Sequence, residues 1–162
     1  MKKLGIIILI IVCILTVGCE RQKKETKSKE VKTEVANPLI ELSSKEELEK
    51  KIGFEVPIIE EKETISYIAI ISDKDKNHAR ILYQDGSEFD MIKGIIKDQE
   101  EISGIYGAEE TETIEMDHYK IKVYEYEETI YGIWRDADYT YSYSMQNANI
   151  DTLKENIELL IK

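Results

Sequence analysis

The chain has 162 residues, 42% hydrophobic and 34% charged, with 22 Lys+Arg against 33 Asp+Glu and a formal net charge of −11. That length suits one ordinary domain and that composition suits a packed core, which excludes wholesale disorder. The acidic balance excludes a general nucleic-acid binder, which needs a basic surface to displace phosphate counterions, and a cysteine inventory of Cys13 and Cys19 alone excludes a disulfide-stapled scaffold.

Lys2 and Lys3 form a positive start, and Leu4 to Val17 carries no charge over 14 residues. A spanning helix needs roughly 20 apolar residues to cross the hydrocarbon layer, so this stretch reads as a signal peptide over residues 1–18. The run Leu15-Thr16-Val17-Gly18-Cys19 resembles the lipobox of bacterial lipoproteins. Thr16 departs from the leucine most common there. The resemblance implies a diacylglycerol thioether on Cys19, cleavage between Gly18 and Cys19, and anchorage to the outer side of the cell membrane through that lipid. A plain secretory signal and an uncleaved anchor are the competing readings. Residues 19–36 follow as the lipidated cysteine and a charged tether with six basic and four acidic residues and no aromatic; such a segment has too little to bury to offset its ordering entropy. Beyond it, 14 basic against 29 acidic residues give the expected single domain, residues 37–162, a net −15.

Within that domain, Ser44-Lys45-Glu46-Glu47 is a capping-box sequence, Leu48 and Ile52 share a helix face, and Gly53 supplies the stop. These predict a short helix over Ser44 to Ile52. Strands are predicted from β-branched and aromatic runs over Ile65 to Ser72, Ala79 to Gln84 and Ser87 to Ile92, the last two joined by a two-residue Asp85-Gly86 turn. Thr111 to Met116 and Tyr119 to Tyr126 flank Asp117-His118, and Thr129 to Arg135 and Tyr139 to Met145 flank Asp136-Ala137-Asp138. Ile150, Leu153, Ile157, Leu160 and Ile161 fall at helical steps and predict a terminal amphipathic helix. The expected class is α+β: an antiparallel sheet of about seven strands, with a short N-terminal helix and a C-terminal helix covering one face.

The segment Asn37 to Ile58 (NPLIELSSKEELEKKIGFEVPI) resembles the start of a domain family of unknown function in lipoproteins and secreted proteins of Gram-positive bacteria, also found outside the membrane on anti-sigma-like proteins. Ile102-Ser103-Gly104-Ile105-Tyr106, the strand bearing Trp134, the Tyr139 to Ser144 run and the terminal helix match its later motifs. The resemblance spans the whole domain and implies no catalytic residues. A second proline, usual in that family after Pro57, is missing here.

Chemistry-bearing residues are few. Asp73-Lys74-Asp75-Lys76-Asn77 imitates the start of a calcium loop, but His78 and Gln84 stand where glycine and a bidentate glutamate are needed. Asp136 and Asp138 suit turn hydrogen bonding as well as a cation. His78 and His118, the only histidines, have no partner ligands in sequence, and no serine sits in a nucleophile-elbow pattern. No cofactor or metal is expected. The tyrosines stand out, ten against two phenylalanines. Tyr139, Tyr141 and Tyr143 share one strand face and form the candidate binding surface, weighed against a face packed on the terminal helix, with Trp134 as a core anchor. The expected role is non-enzymatic binding or sensing at the envelope, toward an unknown protein or small-molecule partner and not nucleic acid. An envelope hydrolase and a carrier of an apolar ligand are the alternatives.

Overall fold

The computed structural model describes residues 39–71, 77–94 and 102–162, all of which belong to one compact unit, Ala36–Lys162. The elements in chain order are β1 (Leu39–Leu42), α1 (Lys45–Ile52), β2 (Thr64–Ile70), β3 (His78–Tyr83), β4 (Glu88–Lys93), β5 (Glu109–Met116), β6 (Tyr119–Tyr126), β7 (Thr129–Asp136), β8 (Tyr139–Gln146) and α2 (Ile150–Ile161). The class is α+β, as expected. The sheet has eight strands rather than about seven, and the first described element is a strand, so the helix does not lead. Strand β1 escapes periodicity because its four residues, Leu39–Leu42, are too short a run for alternation to stand out. Among the described residues, no helix is long and apolar enough to cross a membrane.

The strand order is β1-β2-β3-β4-β8-β7-β6-β5, with every neighbouring pair antiparallel. Two four-stranded meanders therefore meet along a single seam, β4 against β8. Side chains alternate across the sheet, and one face receives both helices: Leu48 and Ile52 of α1 and Leu153, Ile157 and Leu160 of α2 share one core with Ile81, Phe89, Val123, Trp134 and Tyr143. Helix α1 lies on β1 to β3 and α2 on β7 and β8.

Local chemistry sets the ends of the elements. Ser44 caps α1 by accepting from the Glu47 N–H at 3.3 Å, while the Glu47 carboxylate reaches Ser43, not Ser44, accepting from its N–H at 3.1 Å and its hydroxyl at 2.8 Å. Gly53, at φ 86°, closes the helix with its N–H on the Glu49 carbonyl. Asn149 caps α2 through the Thr152 N–H at 2.9 Å. The β3–β4 loop has three residues, Gln84 to Gly86, because the Tyr83 N–H bonds the Ser87 carbonyl and Gly86 takes φ 81°. That corrects the two-residue turn expected there. A three-residue loop ending in a left-handed glycine is the next commonest hairpin solution.

The segment after α1 is tied down by a polar clasp. Lys62 Nζ binds the Asp85 carboxylate and lies 2.7 Å from the Tyr143 hydroxyl. That hydroxyl bonds Ser87 Oγ at 2.8 Å, which in turn donates to Asp85 at 2.6 Å. Lys62 and Ser87 both donate to the Asp85 carboxylate, and the Tyr143 hydroxyl bridges the two donors, which closes the ring.

Two substitutions test the packing and the turns. A Cβ on Gly132 would lie 2.7 Å from the Ile157 Cδ1 and 3.0 Å from the Ile121 Cγ2, so Gly132→Val is expected to cost about 1–3 kcal/mol in urea denaturation. Ala137 occupies φ 47° at the first position of the β7–β8 turn; Ala137→Gly is expected to raise stability by about 0.5–1 kcal/mol in the same measurement, since glycine has no Cβ penalty there.

Candidate functional site

Strand β8 presents Tyr139, Tyr141 and Tyr143 to the helix face, as the alternation requires, but the three do not share one fate. Tyr143 is fully buried, inside the Lys62 ring and within 3.3 Å of Asn156 on α2. It is a core residue, which corrects its placement on a binding surface. Tyr139 and Tyr141 are half-buried. Tyr141 stacks on Trp134 at 5.3 Å and 9° and on Phe89 at 6.2 Å, and Tyr139 meets Phe54 edge-on at 5.4 Å. Burial, with the Asp136 charge beside it, pushes the Tyr141 hydroxyl up to about 12. The phenol therefore stays neutral and offers a hydroxyl at the rim of an aromatic stack, an arrangement suited to contact with a partner that is apolar at one edge and wet at the other. Trp134 is 2% exposed and acts as the core anchor predicted for it.

The opposite face holds a cluster that the sequence reading did not assemble. Arg80 on β3 stands directly across from Asp90 on β4, and its Nε lies 2.9 Å from Asp90 Oδ1 and 3.2 Å from Glu88 Oε1. His78, two residues before Arg80, brings its Nε2 to 2.5 Å from the same Asp90 oxygen. Burial of Asp90 works against its charge, yet the hydrogen bond from His78 and the charge of Arg80 outweigh it and hold the carboxyl below its ordinary range. Glu88 goes the other way: burial first, then repulsion from Asp90, push its carboxyl up to about 8 against the pull of Arg80. Two carboxylates share one guanidinium, and the deeper one holds it.

Residues 102–108 cross this face. Ile102, Ile105 and Ala108 pack on Ile92, Tyr124, Tyr131 and Ile133, and the turn at Gly104 approaches Arg80, whose Nη2 lies 3.8 Å from where a Cβ would stand. Ser142 sits opposite Asp90 across the seam. Its Oγ, like Thr140 Oγ1, is buried without a hydrogen-bond partner among the described residues. His78 and Ser142 flank Asp90 from different sides, two strand spacings apart, about 10 Å. The three therefore do not form a nucleophile, base and acid in sequence.

The remaining candidates stay apart. His118 is exposed against the Tyr119 ring at 4.0 Å, four strand spacings from His78, about 19 Å. Asp136 accepts from the Tyr119 hydroxyl at 3.3 Å. Of the calcium-like run, residues 73–76 lie outside the described residues, and Asn77 donates to the Ile52 carbonyl at 2.8 Å. A cleft of about 510 Å³ at the other end of the sheet is lined by Glu112, Glu125, Glu127 and Glu128 beside the start of α2. Among the described residues, no three His, Cys, Asp or Glu side chains converge to hold a metal. Comparison with family models, curated proteins and solved structures finds no match to this chain.

Removing one partner of a buried ion pair costs more than removing both, because the survivor keeps its desolvation penalty. Arg80→Met is expected to cost about 3–5 kcal/mol in urea denaturation, and the Arg80→Met, Asp90→Leu double variant less than the sum of the two single changes.

Proposed function

We propose that this chain is a lipid-anchored lipoprotein on the outer face of the cell membrane, and that residues 37–162 form a binding or sensing domain rather than a catalytic one. The carrying observation is the Leu15-Thr16-Val17-Gly18-Cys19 run at the end of a 14-residue uncharged stretch. Cys19 is the thiol such processing requires, and the small Gly18 is the residue before the cut. The resemblance of Asn37 to Ile58 to a lipoprotein domain family of Gram-positive bacteria points the same way.

The half-buried Tyr139 and Tyr141 support binding. Their rings are immobilised on Trp134, Phe89 and Phe54, so little side-chain entropy remains to be lost when a partner docks. The contact proposed is therefore narrower than the whole tyrosine strand: these two rings and their hydroxyls, on a domain whose net negative charge argues against a nucleic-acid partner.

The anchor is tested by Cys19→Ala in cells fed a labelled fatty acid. The wild-type chain is expected to carry label and to sediment with membranes; the variant is expected to lose the label and to accumulate as the longer, unprocessed form. Equal labelling of the two chains would overturn the assignment.

A further inference from the structure

Asp136 stands in the middle of the tyrosine rim, half-buried, and among the described residues it makes no ion pair. By register it lies opposite Tyr139 of β8, and on its other side it accepts from the Tyr119 hydroxyl of β6 at 3.3 Å. One carboxylate thus sits between tyrosines on both neighbouring strands, each about 4.8 Å away in the sheet. One step inward on the same face, Trp134 stands opposite Tyr141. Lys93, which continues this row on β4 beyond Tyr139, is exposed and two strand spacings from Asp136, about 10 Å. The turns at this end of the sheet add the exposed Asp117 and Asp138, with His118 against the Tyr119 ring.

The neighbouring hydroxyls are uncommitted too. Among the described residues, neither Tyr139 nor Tyr141 gives its hydroxyl to a hydrogen bond, although Phe54, Phe89 and Trp134 hold the two rings in place. Burial first, and then the Asp136 charge, raise the Tyr141 and Tyr119 hydroxyls, so these oxygens share one electrostatic neighbourhood. A metal ion matches this arrangement poorly. Hard cations take about six or more oxygen ligands, and among the described residues no three His, Cys, Asp or Glu side chains converge. A protonated primary amine matches it well, because it carries three donors and no acceptor. The rim offers it one carboxylate and two phenol oxygens.

We propose that this rim is a receptor for a protonated primary amine at the end of an apolar stem, the lysine side chain of a partner protein. Asp136 takes the ammonium through a charge-assisted hydrogen bond, and Tyr139 and Tyr141 accept its remaining N–H groups. The aromatic rings beside them receive the methylene stem, since lysine covers apolar surface with its stem while its head stays among polar groups. An ethanolamine headgroup carries the same ammonium without that stem. The assignment rests on Tyr139 and Tyr141 being the binding surface, and adds the chemistry of what they hold.

The test follows the backbone amide chemical shifts of residues 134–141 in the full-length chain, held in uncharged detergent micelles. The probes are N-acetyl-lysine amide, its neutral isostere N-acetyl-norleucine amide, and ethanolamine. The lysine derivative is expected to bind about tenfold or more tightly than either of the others, the worth of one charge-assisted contact. Asp136→Asn, which keeps an acceptor for the Tyr119 hydroxyl, is expected to erase the margin over norleucine. Tyr141→Phe, which keeps the ring, is expected to weaken the lysine derivative about threefold or more. Should the asparagine variant not fold, raised salt on the wild-type chain reads the same charge and is expected to weaken the lysine derivative alone. Equal binding of lysine and norleucine, or an Asp136→Asn variant that loses nothing, would overturn the ammonium assignment and leave the tyrosine surface standing. Ethanolamine that matches lysine would overturn the stem. Shifts from none of the three probes would overturn the assignment and the surface together.

Discussion

Everything in this fold hangs on the pairing of β4 with β8. Each meander closes its own hairpins, but among the described residues the two halves have no other strand-to-strand pairing in the sheet. The pairing joins residues about fifty positions apart, from Glu88 with Ser144 to Lys93 with Tyr139. Its loop-closure entropy must be met by side chains on both faces. On the helix face the seam is sealed by Phe89, Met91, Tyr141 and Tyr143. On the other face it carries Asp90 opposite Ser142.

The same seam dictates the path of the chain. Strand β4 ends at the centre of the sheet and β5 begins at its edge, four strand spacings away, about 19 Å. A connection between them has to cross β8, β7 and β6, and the face occupied by the two helices is already full. The crossing segment therefore lies on the charged face, where Ile102 and Ile105 close over Tyr131 and Ile133. A topological necessity thus puts an apolar cover beside a buried ion cluster. The tyrosine rim and the Arg80 cluster occupy opposite faces of the same two strands, back to back through the backbone of β4 and β8.

How much of this was legible in the sequence depends on the range of the interaction. The α1 cap and its glycine stop, the α2 stripe and the hairpin at Asp117-His118 are encoded within a few residues, and all appear in place. The Arg80 cluster was hidden by a single residue of register. A two-residue Asp85-Gly86 turn would set Arg80 opposite Met91, on the helix face, and scatter the charges among apolar neighbours. The three-residue loop pairs Arg80 with Asp90, and with a side-chain period of two, that slip moves every side chain to the other face. The clue was the charge pattern, His78 and Arg80 on one arm against Glu88 and Asp90 on the other, which only one register brings together.

The sequence by itself determined the local elements, the acidic balance of residues 37–162 beyond a basic segment, and the lipobox-like run ending at Cys19, because each is written in contiguous residues or in composition. It also determined that Tyr139, Tyr141 and Tyr143 share a face, since alternation along a strand needs no partner. Only the tertiary structure decided that Tyr143 is buried under α2 while its two neighbours reach the rim, that β1 precedes the helix as an edge strand, and that Asp90 and Glu88 contend for one arginine. Depth and charge environment are properties of what packs across from a residue, and those partners come from strands and helices far away in the chain.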